Sequence, residues 1–268
     1  MEFITDDKCT GCGTCVSICP KHLLTFEDGY PTFKEGKDEF CMRCGHCTAY
    51  CPEKSCHLSE FSESLSPVHS PVKDQEAIRN LLESRRSYRL FARLPVDQKT
   101  LDKILELTAY YPSGKNIRPI RFIILNGKQK VKSLSDSIVD WMRREGVNNP
   151  KVGDEKTVKA LAESYAAGND FIFRNATGVV FMAAPKDAVW GTVDATIAAT
   201  YFNLAAESLD IGCTYAGYAV RMIHESKELQ ELVGLSSEEM IPIGLFFGRK
   251  TIHAGRAPGR DSIPVTYL

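Results

Sequence analysis

Eight of the ten cysteines stand in two runs with identical spacing. Each run has the form C-x2-C-x2-C-x3-C followed by proline, and every cysteine of the second run comes 32 positions after its counterpart in the first. A fixed offset of this kind indicates an internal duplication. Clustered thiols at such short spacing point to metal binding. The first run consists of Cys9, Cys12, Cys15 and Cys19, and the second of Cys41, Cys44, Cys47 and Cys51.

Zinc ions and iron–sulfur clusters are the two kinds of metal group that these thiols could bind. Zinc sites usually combine two well-separated C-x2-C pairs, a pattern that three cysteines at strict three-residue spacing fit poorly. The runs match the two-cluster iron–sulfur pattern, in which the fourth cysteine of each run binds the other cluster. Residues 2–60 resemble the bacterial ferredoxins with two 4Fe-4S clusters at all eight ligand positions. Crossed ligation predicts one cluster on Cys9, Cys12, Cys15 and Cys51, and a second on Cys41, Cys44, Cys47 and Cys19.

Two further features of this segment follow from the cluster interpretation. Gly11, Gly13 and Gly45 are predicted to take positive φ, which lets the backbone turn closely around a cluster. Cys56 falls outside the repeated pattern and is predicted to be a buried thiol.

Charge divides the 268-residue chain into an acidic head and a weakly basic body. Residues 1–60 contain ten acidic and six basic side chains, whereas the whole chain has a net charge of −1. This balance provides no basic field for nucleic acid. The N-terminus lacks the pattern of a secretory signal, and the least polar stretch, 195–206, is too short to span a membrane. We therefore expect a cytoplasmic protein with no nucleic-acid or membrane partner.

The chain is predicted to contain a domain at 1–60, a linker at 61–74 rich in serine and proline, and a second domain at 75–268. In the second domain, helices and strands interleave without the compact spacing of βαβ units, which favours an α+β fold. Asp74 and Asp97 are predicted to cap the first two helices. Asp194 and Gly212 are predicted to bound an alanine-rich helix that ends near residue 209. Further helices are predicted at 128–144, 156–167 and 223–233, and strands at 121–125, 178–183 and 241–247.

A basic run at the end of the first predicted helix could bind phosphate. Arg85 and Arg89 share a face if the helix continues, and with Arg86 and Ser87 they offer donors suited to a phosphate monoester. A solvated basic helix end is the alternative interpretation. The turn Pro112-Ser113-Gly114-Lys115-Asn116 adds a hydroxyl and an amide that can bind a planar heterocycle. No G-x-G-x-x-G motif follows a strand, so a Rossmann-type NAD(P)H site is not expected.

Four motifs in matching order make the body resemble the nitroreductase family of FMN-binding flavoproteins: RRSYR, PSGKN, DATIAATYFNLAAESLDIG, and IPIGLFFGRK with the later GRAPGR. The resemblance implies a nitroreductase-like FMN fold, with a mixed sheet flanked by helices, and a homodimer with the flavin at the subunit interface. It also implies individual FMN contacts. Arg85, Arg86 and Ser87 would approach the phosphate and the ribityl chain, and Arg256 and Arg260 would complete the phosphate site. Arg89 would face the N1/O2 side of the ring, and Ala216 and Gly217 would present backbone N–H groups near N5 and O4. The other subunit would supply Pro112, Ser113, Gly114 and Asn116.

Together the two halves predict an electron-transfer enzyme. Iron–sulfur clusters carry single electrons, and flavin accepts electrons singly and passes on a pair as hydride. We therefore expect an FMN-dependent oxidoreductase whose clusters are reduced by an external low-potential donor. A small organic acceptor, such as a nitro compound or an enone, would be reduced by ping-pong turnover. The alternatives are an ene-reductase, dehalogenase or flavin-fragmenting activity on the same fold, and a non-catalytic redox sensor or electron-storage protein. No side chain is singled out as catalytic.

Overall fold

The computed structural model describes residues 1–61, 74–145, 149 and 151–268. These residues form two compact units. The first contains the described residues up to 61 together with Gly114–Ile117, and the second contains Asp74–Ser113 and Arg118–Leu268. The predicted linker at 61–74 lies outside the described residues except at its two ends. In the part of the chain that the structure describes, no helix is long and apolar enough to cross a membrane.

The first unit consists of two antiparallel strand pairs and two short helices. Its elements are β1 Phe3–Thr5, α1 Thr14–Ile18, β2 Leu24–Glu27, β3 Tyr30–Phe33, α2 His46–Ala49 and β4 Cys56–Leu58. Strand β1 pairs with β4, with Phe3 opposite Leu58, and β2 pairs with β3 as a hairpin. Asp28 and Gly29 connect this hairpin with φ of 51° and 85°, as a tight two-residue turn requires.

The backbone of the first unit repeats the duplication seen in the sequence. Gly13 precedes α1 and Gly45 precedes α2, with φ of 75° and 70°, and Gly11 has φ of 66°. The prediction of positive φ at these glycines is confirmed. His22 and Lys54, which are also 32 positions apart, have φ of 52° and 55°. Equivalent residues of the two halves therefore have similar backbone conformations.

Thiols lie in the core of the first unit. Cys15, Leu24 and Cys56 are its buried cluster, and Phe3 and Phe33 pack against them. Cys56 is 3% exposed, so the predicted buried thiol is confirmed. A segment of this size builds only a small hydrophobic core, and bonds from its thiols to a metal group would add directly to its folding free energy.

The second unit is an antiparallel sheet with helices on both faces. Its elements are α3 Gln75–Ser84, α4 Gln98–Thr108, β5 Arg121–Asn126, α5 Lys128–Arg144, α6 Glu155–Ala166, β6 Gly178–Pro185, α7 Gly191–Ser208, β7 Ile211–Tyr215, α8 Gly217–Glu225, α9 Lys227–Leu232 and β8 Glu239–Arg249. The strands lie in the order β5-β6-β8-β7, and each neighbouring pair is antiparallel. The α+β prediction is confirmed. Among the described residues, the parallel component of the predicted mixed sheet is confined to an isolated bridge between Ser87 and Cys213.

The sheet separates two hydrophobic cores. Helices α4 and α7 supply Ile104 and Phe202 to one core, whereas α5 and α8 supply Ile138 and Ile223 to the other. Strand β6 contributes to both cores, and seven of its eight residues are buried. Because β6 is buried on both faces, its sequence is a continuous run of apolar residues.

Helix α7 ends at Ser208, as the predicted end near residue 209 requires, but the two residues predicted to bound the helix are wrong. Helix α7 begins at Gly191, so Asp194 lies in its first turn and does not cap it. Asp210, with φ of 61°, lies in the left-handed region between α7 and β7. Gly212 lies in β7, where the ring of Tyr88 would be 2.5 Å from an added Cβ. That glycine is therefore required by side-chain packing and not by a helix end.

Two other helix predictions also need correction. The predicted helix at 223–233 is two helices, α8 and α9, which meet at Ser226, and the Ser226 side chain caps α9. Helix α3 ends at Ser84, so Arg85 and Arg89 do not share a helix face. The caps at Asp74 and Asp97 are confirmed, because each carboxylate accepts a hydrogen bond from the backbone N–H three residues later, at 2.9 and 3.0 Å.

Candidate functional site

The eight repeated cysteines border two separate cavities of the first unit. Helices α1 and α2 contain the third cysteine of each run, Cys15 and Cys47. The fourth cysteines, Cys19 and Cys51, follow these helices. Each cavity thus takes three cysteines from one run and the fourth from the other. The first cavity is bordered by Cys9, Cys12, Cys15 and Cys51, together with Cys56 from outside the runs, and the second by Cys19, Cys41, Cys44 and Cys47.

Matched backbone hydrogen bonds fix the two crossed cysteines. The N–H of Leu23 donates to Cys19 Sγ at 3.4 Å, and the N–H of Ser55 donates to Cys51 Sγ at the same distance. Leu23 and Ser55 are 32 positions apart. Donors directed at sulfur are what a thiolate ligand of an iron–sulfur cluster accepts.

The first cavity has a buried polar group without a partner beside it. Ser55 borders that cavity, and its buried hydroxyl has no hydrogen-bond partner in the structure. A buried donor without a partner is costly, and the sulfur of a cluster held by the surrounding cysteines would satisfy it. Among the described residues, no group of three His, Cys, Asp or Glu side chains forms a site for a single metal ion.

Burial and hydrogen bonding shift the pKa values of these free thiols in opposite directions. Burial raises the pKa of Cys15, Cys41 and Cys47. Burial also opposes ionisation of Cys51, but hydrogen bonds, first of all from the Ser55 N–H, leave the pKa of Cys51 below its ordinary value. A coordinated thiol is deprotonated outright, so metal binding here must release protons.

The basic run in the second unit is an extended segment beside β7. Ser87 forms the isolated bridge to Cys213, and the N–H of Tyr88 donates to the Cys213 carbonyl at 3.0 Å. The Thr214 hydroxyl donates to the Tyr88 carbonyl. These bonds hold the backbone of the segment against the sheet, although helix α3 has already ended.

The guanidinium groups of this segment are available to an anion. Arg86 donates to the Arg85 carbonyl at 2.6 Å, and Arg89 donates to the Ser87 carbonyl at 3.1 Å. Within the described ranges, none of Arg85, Arg86 and Arg89 forms an ion pair with a carboxylate. Three closely spaced positive charges without carboxylate partners suit a phosphate group.

Tyr88 connects this segment to the C-terminal tail. Its hydroxyl accepts hydrogen bonds from the N–H groups of Thr251 and Ile252, at 2.6 and 2.8 Å, and lies 3.1 Å from the Ile252 carbonyl, to which it can donate. No sequence pattern predicts a role for Tyr88, and its position inside the RRSYR motif is the one available signal.

The Tyr88→Phe variant is expected to lower the free energy of unfolding by about 1–2 kcal/mol. The N–H groups of Thr251 and Ile252 lose the Tyr88 hydroxyl as their acceptor, and water replaces it only in part. Urea unfolding and the rate of trypsin cleavage after Arg256 measure the two effects. Tyr110→Phe is the matched control, because the Tyr110 side chain is 72% exposed. Equal trypsin sensitivity of the two variants would contradict an anchoring role for Tyr88.

A buried ion pair lies next to the same segment. Lys250 Nζ donates to Glu207 Oε1 at 2.6 Å, and the two side chains are only 9% and 6% exposed. The Ser84 hydroxyl also lies 3.4 Å from Glu207 Oε1. Burial raises the pKa of the nearby Cys213 thiol, and the Glu207 carboxylate raises it further. Cys213 is therefore a packed, neutral thiol.

The PSGKN turn and the residues just after it hold strained backbone. Lys115, Asn116 and Arg118 have φ of 54°, 56° and 52°, a region that costs a residue with a side chain about 1–2 kcal/mol. Such strain collects at functional sites. Pro112 is exposed, whereas Ser113 and Gly114 are half-buried.

Two polar side chains of the turn already have partners. The Ser113 hydroxyl oxygen accepts a hydrogen bond from the Arg118 N–H at 2.9 Å. Within the first unit, the Asn116 amide donates to the carbonyls of Met42 and Arg43, at 3.1 and 2.9 Å. These two bonds occupy the amide hydrogens and leave the side-chain oxygen of Asn116 as the group that could contact a ligand.

The two backbone donors predicted at 216–217 differ in availability. The N–H of Ala216 donates to the Gly244 carbonyl at 2.8 Å, and Ala216 is 1% exposed. Gly217 is exposed and opens helix α8, where the first N–H groups have no partner within the helix. Gly217 is therefore the better placed of the pair to donate to a ligand.

The other predicted arginines lie on the C-terminal tail. Arg256 borders a cleft at the end of α3, together with Asn80 and Ser84. Arg260 is exposed. The structure thus brings Arg256 to the end of the helix that precedes Arg85, and it leaves Arg260 in the exposed tail.

Two family profiles match the chain. The profile described as the nitroreductase family matches residues 82–249, and the one described as a 4Fe-4S dicluster domain matches residues 8–55. The chain belongs to the nitroreductase family. The two matches confirm the fusion of a ferredoxin-type domain to a nitroreductase domain.

Individual relatives of this nitroreductase-family chain are distant. A protein named FMN reductase (NAD(P)H) from Bacillus subtilis (strain 168) is 29% identical over 185 residues, which cover 68% of this chain and 69% of the relative. A 4-nitrobenzoate reductase from Nocardioides sp. (strain LMS-CY) is 36% identical over 66 residues, which cover 25% of this chain and only 26% of that relative. These matches agree with an oxidoreductase.

A solved structure confirms the nitroreductase fold. A nitroreductase with bound FMN from Bacteroides fragilis NCTC 9343 aligns with a TM-score of 0.58 at 19% identity, covering 71% of this chain and 98% of the other. The two family profiles and the named relatives together identify an oxidoreductase with a 4Fe-4S domain at its N-terminal end.

Proposed function

We propose that this chain is an FMN-dependent oxidoreductase that receives single electrons through two 4Fe-4S clusters and reduces a small organic acceptor. The observation that carries the proposal is the pair of cavities, each bordered by four cysteines of the two repeated runs, in a chain whose body has the nitroreductase fold. One chain thus combines ligands for one-electron carriers with a fold that binds flavin in a solved neighbour. An external low-potential donor would supply the electrons, and turnover would be ping-pong.

The residues of the second unit would hold FMN by its charged end. Arg85, Arg86 and Ser87 would bind the phosphate and ribityl chain, and their lack of carboxylate partners in the described ranges supports this role. When bound, FMN converts single electrons into a hydride equivalent. Further contacts are proposed for Arg89, Arg256, Arg260, Pro112, Ser113, Gly114, Asn116, Ala216 and Gly217, with Gly217 the better placed backbone donor and the Asn116 side-chain oxygen the available acceptor.

We also propose a homodimer in which the 112–116 turn serves the partner's flavin. Apolar side chains that a monomer would leave in water support it. On α3, Ile78 and Leu82 are 44% and 57% exposed, and in the tail Ile263 and Tyr267 are 83% and 92% exposed. Their burial against a second copy would be favourable. Sedimentation of the anaerobic protein tests this, because a mass of 29.8 kDa would contradict a dimer.

The proposed electron route is tested by reducing the clusters and observing the flavin. Anaerobically purified protein is assayed for iron, sulfide and flavin, reduced photochemically, and followed at the flavin absorption band. Flavin reduction is expected to be fast, followed by reoxidation when 4-nitrobenzoate or cyclohexenone is added. The matched control is the Cys15→Ala/Cys47→Ala double variant, which lacks one thiol at each cavity and is expected to lose fast flavin reduction.

The source of electrons is decided by a second arm with NAD(P)H, the reductant in the name of the Bacillus subtilis relative. If NAD(P)H reduces the flavin equally fast in wild type and in the double variant, the route through the clusters is contradicted. The same conclusion follows if photochemical reduction of the flavin proceeds at the wild-type rate in the double variant.

A further inference from the structure

We propose that the Ser55 hydroxyl donates a hydrogen bond to the cluster bound by Cys9, Cys12, Cys15 and Cys51, and that this bond raises the reduction potential of that cluster. The inference rests on the proposed function, because it requires clusters in both cavities. Hydrogen bonds to the sulfur atoms are one of the factors that set the potential of an iron–sulfur cluster. A donor stabilises the more negative, reduced state, so it favours uptake of an electron.

Ser55 is in a position to make this bond. The residue is 2% exposed and borders the first cavity together with Cys51. Its backbone N–H donates to Cys51 Sγ at 3.4 Å, which holds the residue beside that thiol. Its hydroxyl has no partner in the structure. A buried hydroxyl that borders a cavity and lacks a partner indicates a ligand acceptor in that cavity.

The internal duplication provides a built-in comparison. Leu23 is the counterpart of Ser55, and its N–H donates to Cys19 Sγ at the same 3.4 Å. The preceding residues, His22 and Lys54, have nearly equal φ of 52° and 55°. The backbone φ and the backbone hydrogen bond are therefore matched, whereas Ser55 carries a hydroxyl donor and Leu23 an apolar isobutyl group. The second cluster lacks this donor.

Neighbouring polar groups already have contacts in the structure. The thiol of Cys56, which also borders the first cavity, donates to the Cys47 carbonyl at 3.4 Å. Thr14 and His46 are counterparts and lie 3.3 and 3.5 Å from Cys12 Sγ and Cys44 Sγ, so each cavity has one such contact.

Within the described part of the first unit, two other buried hydroxyls also lack partners, those of Thr5 and Thr48. Neither threonine is among the residues that border the two cavities. Ser55 therefore combines an unpartnered buried hydroxyl with a position beside a cavity.

The test is a redox titration of the holoprotein, followed by electron paramagnetic resonance. Ser55→Ala is expected to lower the potential of one cluster only, by about 59 mV, which is a tenfold change in the ratio of reduced to oxidised cluster for one electron. Ser17→Ala is the matched control, because Ser17 is an exposed serine of the same unit, and it should shift neither potential.

The outcomes separate this inference from the proposed function. Suppose that wild-type protein contains iron and sulfide for two clusters. If Ser55→Ala then changes the ratio of reduced to oxidised cluster by less than 1.5-fold for both clusters, the role proposed for Ser55 is wrong and the proposed function stands. If Ser55→Ala shifts both clusters equally, the specific hydrogen bond is also contradicted. Ser55→Thr keeps a hydroxyl and is expected to keep the wild-type potential. Protein without bound iron would contradict the proposed function itself.

Discussion

Alanine at Cys51 is expected to abolish the same cluster as alanine at Cys9, although the two cysteines belong to different runs. Cys51 borders the cavity of Cys9, Cys12 and Cys15, whereas Cys19 borders the cavity of Cys41, Cys44 and Cys47. Because a cubane needs all four thiolates, loss of any one is expected to lower iron and sulfide by about half. The remaining cluster should have the same spectrum and potential in Cys9→Ala and Cys51→Ala.

The measurement compares four single variants by iron content, electron paramagnetic resonance and potential. Cys19→Ala and Cys41→Ala should share the other residual cluster. Cys213→Ala is the control, because Cys213 is the single cysteine outside the N-terminal segment and should keep full iron content. Crossed ligation is refuted if Cys51→Ala resembles Cys41→Ala in its residual spectrum, since each run would then bind its own cluster.

Methionine at Lys250 is expected to lower the free energy of unfolding by about 3–5 kcal/mol, because it leaves the Glu207 carboxylate buried without its partner. The same loss is expected for Glu207→Leu. The double variant Glu207→Leu/Lys250→Met should recover most of the stability, since an apolar pair of similar volume replaces a buried ion pair at little cost. Urea unfolding of the two single variants and the double variant provides the three free energies.

An exposed ion pair provides the control for this cycle. Arg144 and Glu228 lie 2.8 Å apart, but their side chains are 54% and 59% exposed. Arg144→Met is expected to cost less than about 1 kcal/mol, because water screens the pair and solvates the remaining charge. Equal costs for Lys250→Met and Arg144→Met would show that burial of the Glu207–Lys250 pair contributes nothing to stability.

The candidate cluster ligands could be proposed from the sequence because most of their chemistry is local. Three cysteines at fixed short spacing can approach one metal group from a single turn of chain, and the duplication at 32 residues repeats that geometry and supplies the fourth cysteine. Caps such as Asp74 and Asp97 could be predicted for the same reason, since the accepting carboxylate and the donating N–H are three residues apart. The types of the four sequence motifs in the body, and their order along the chain, were also enough to indicate the nitroreductase family.

The elements that were predicted wrongly depend on residues far away in the chain. Helix α3 ends before Arg85 because the next residues bond to β7, where Tyr88 contacts Cys213. Gly212 looks like a helix stop, but its missing side chain makes room for the Tyr88 ring. Neither contact can be inferred from neighbouring residues, because each joins residues that are far apart in the sequence.

By itself, the sequence determined which thiols can bind metal, that the chain has two parts and that the body is α+β, because periodicity and ligand spacing act over a few residues. The tertiary structure alone decided which polar groups lose contact with water. Glu207 and Lys250 resemble surface residues until the fold buries them together, and Ser55 is an ordinary serine until a cavity leaves its hydroxyl without a partner. Burial is a sum over contacts from the whole chain, and no short segment contains that sum.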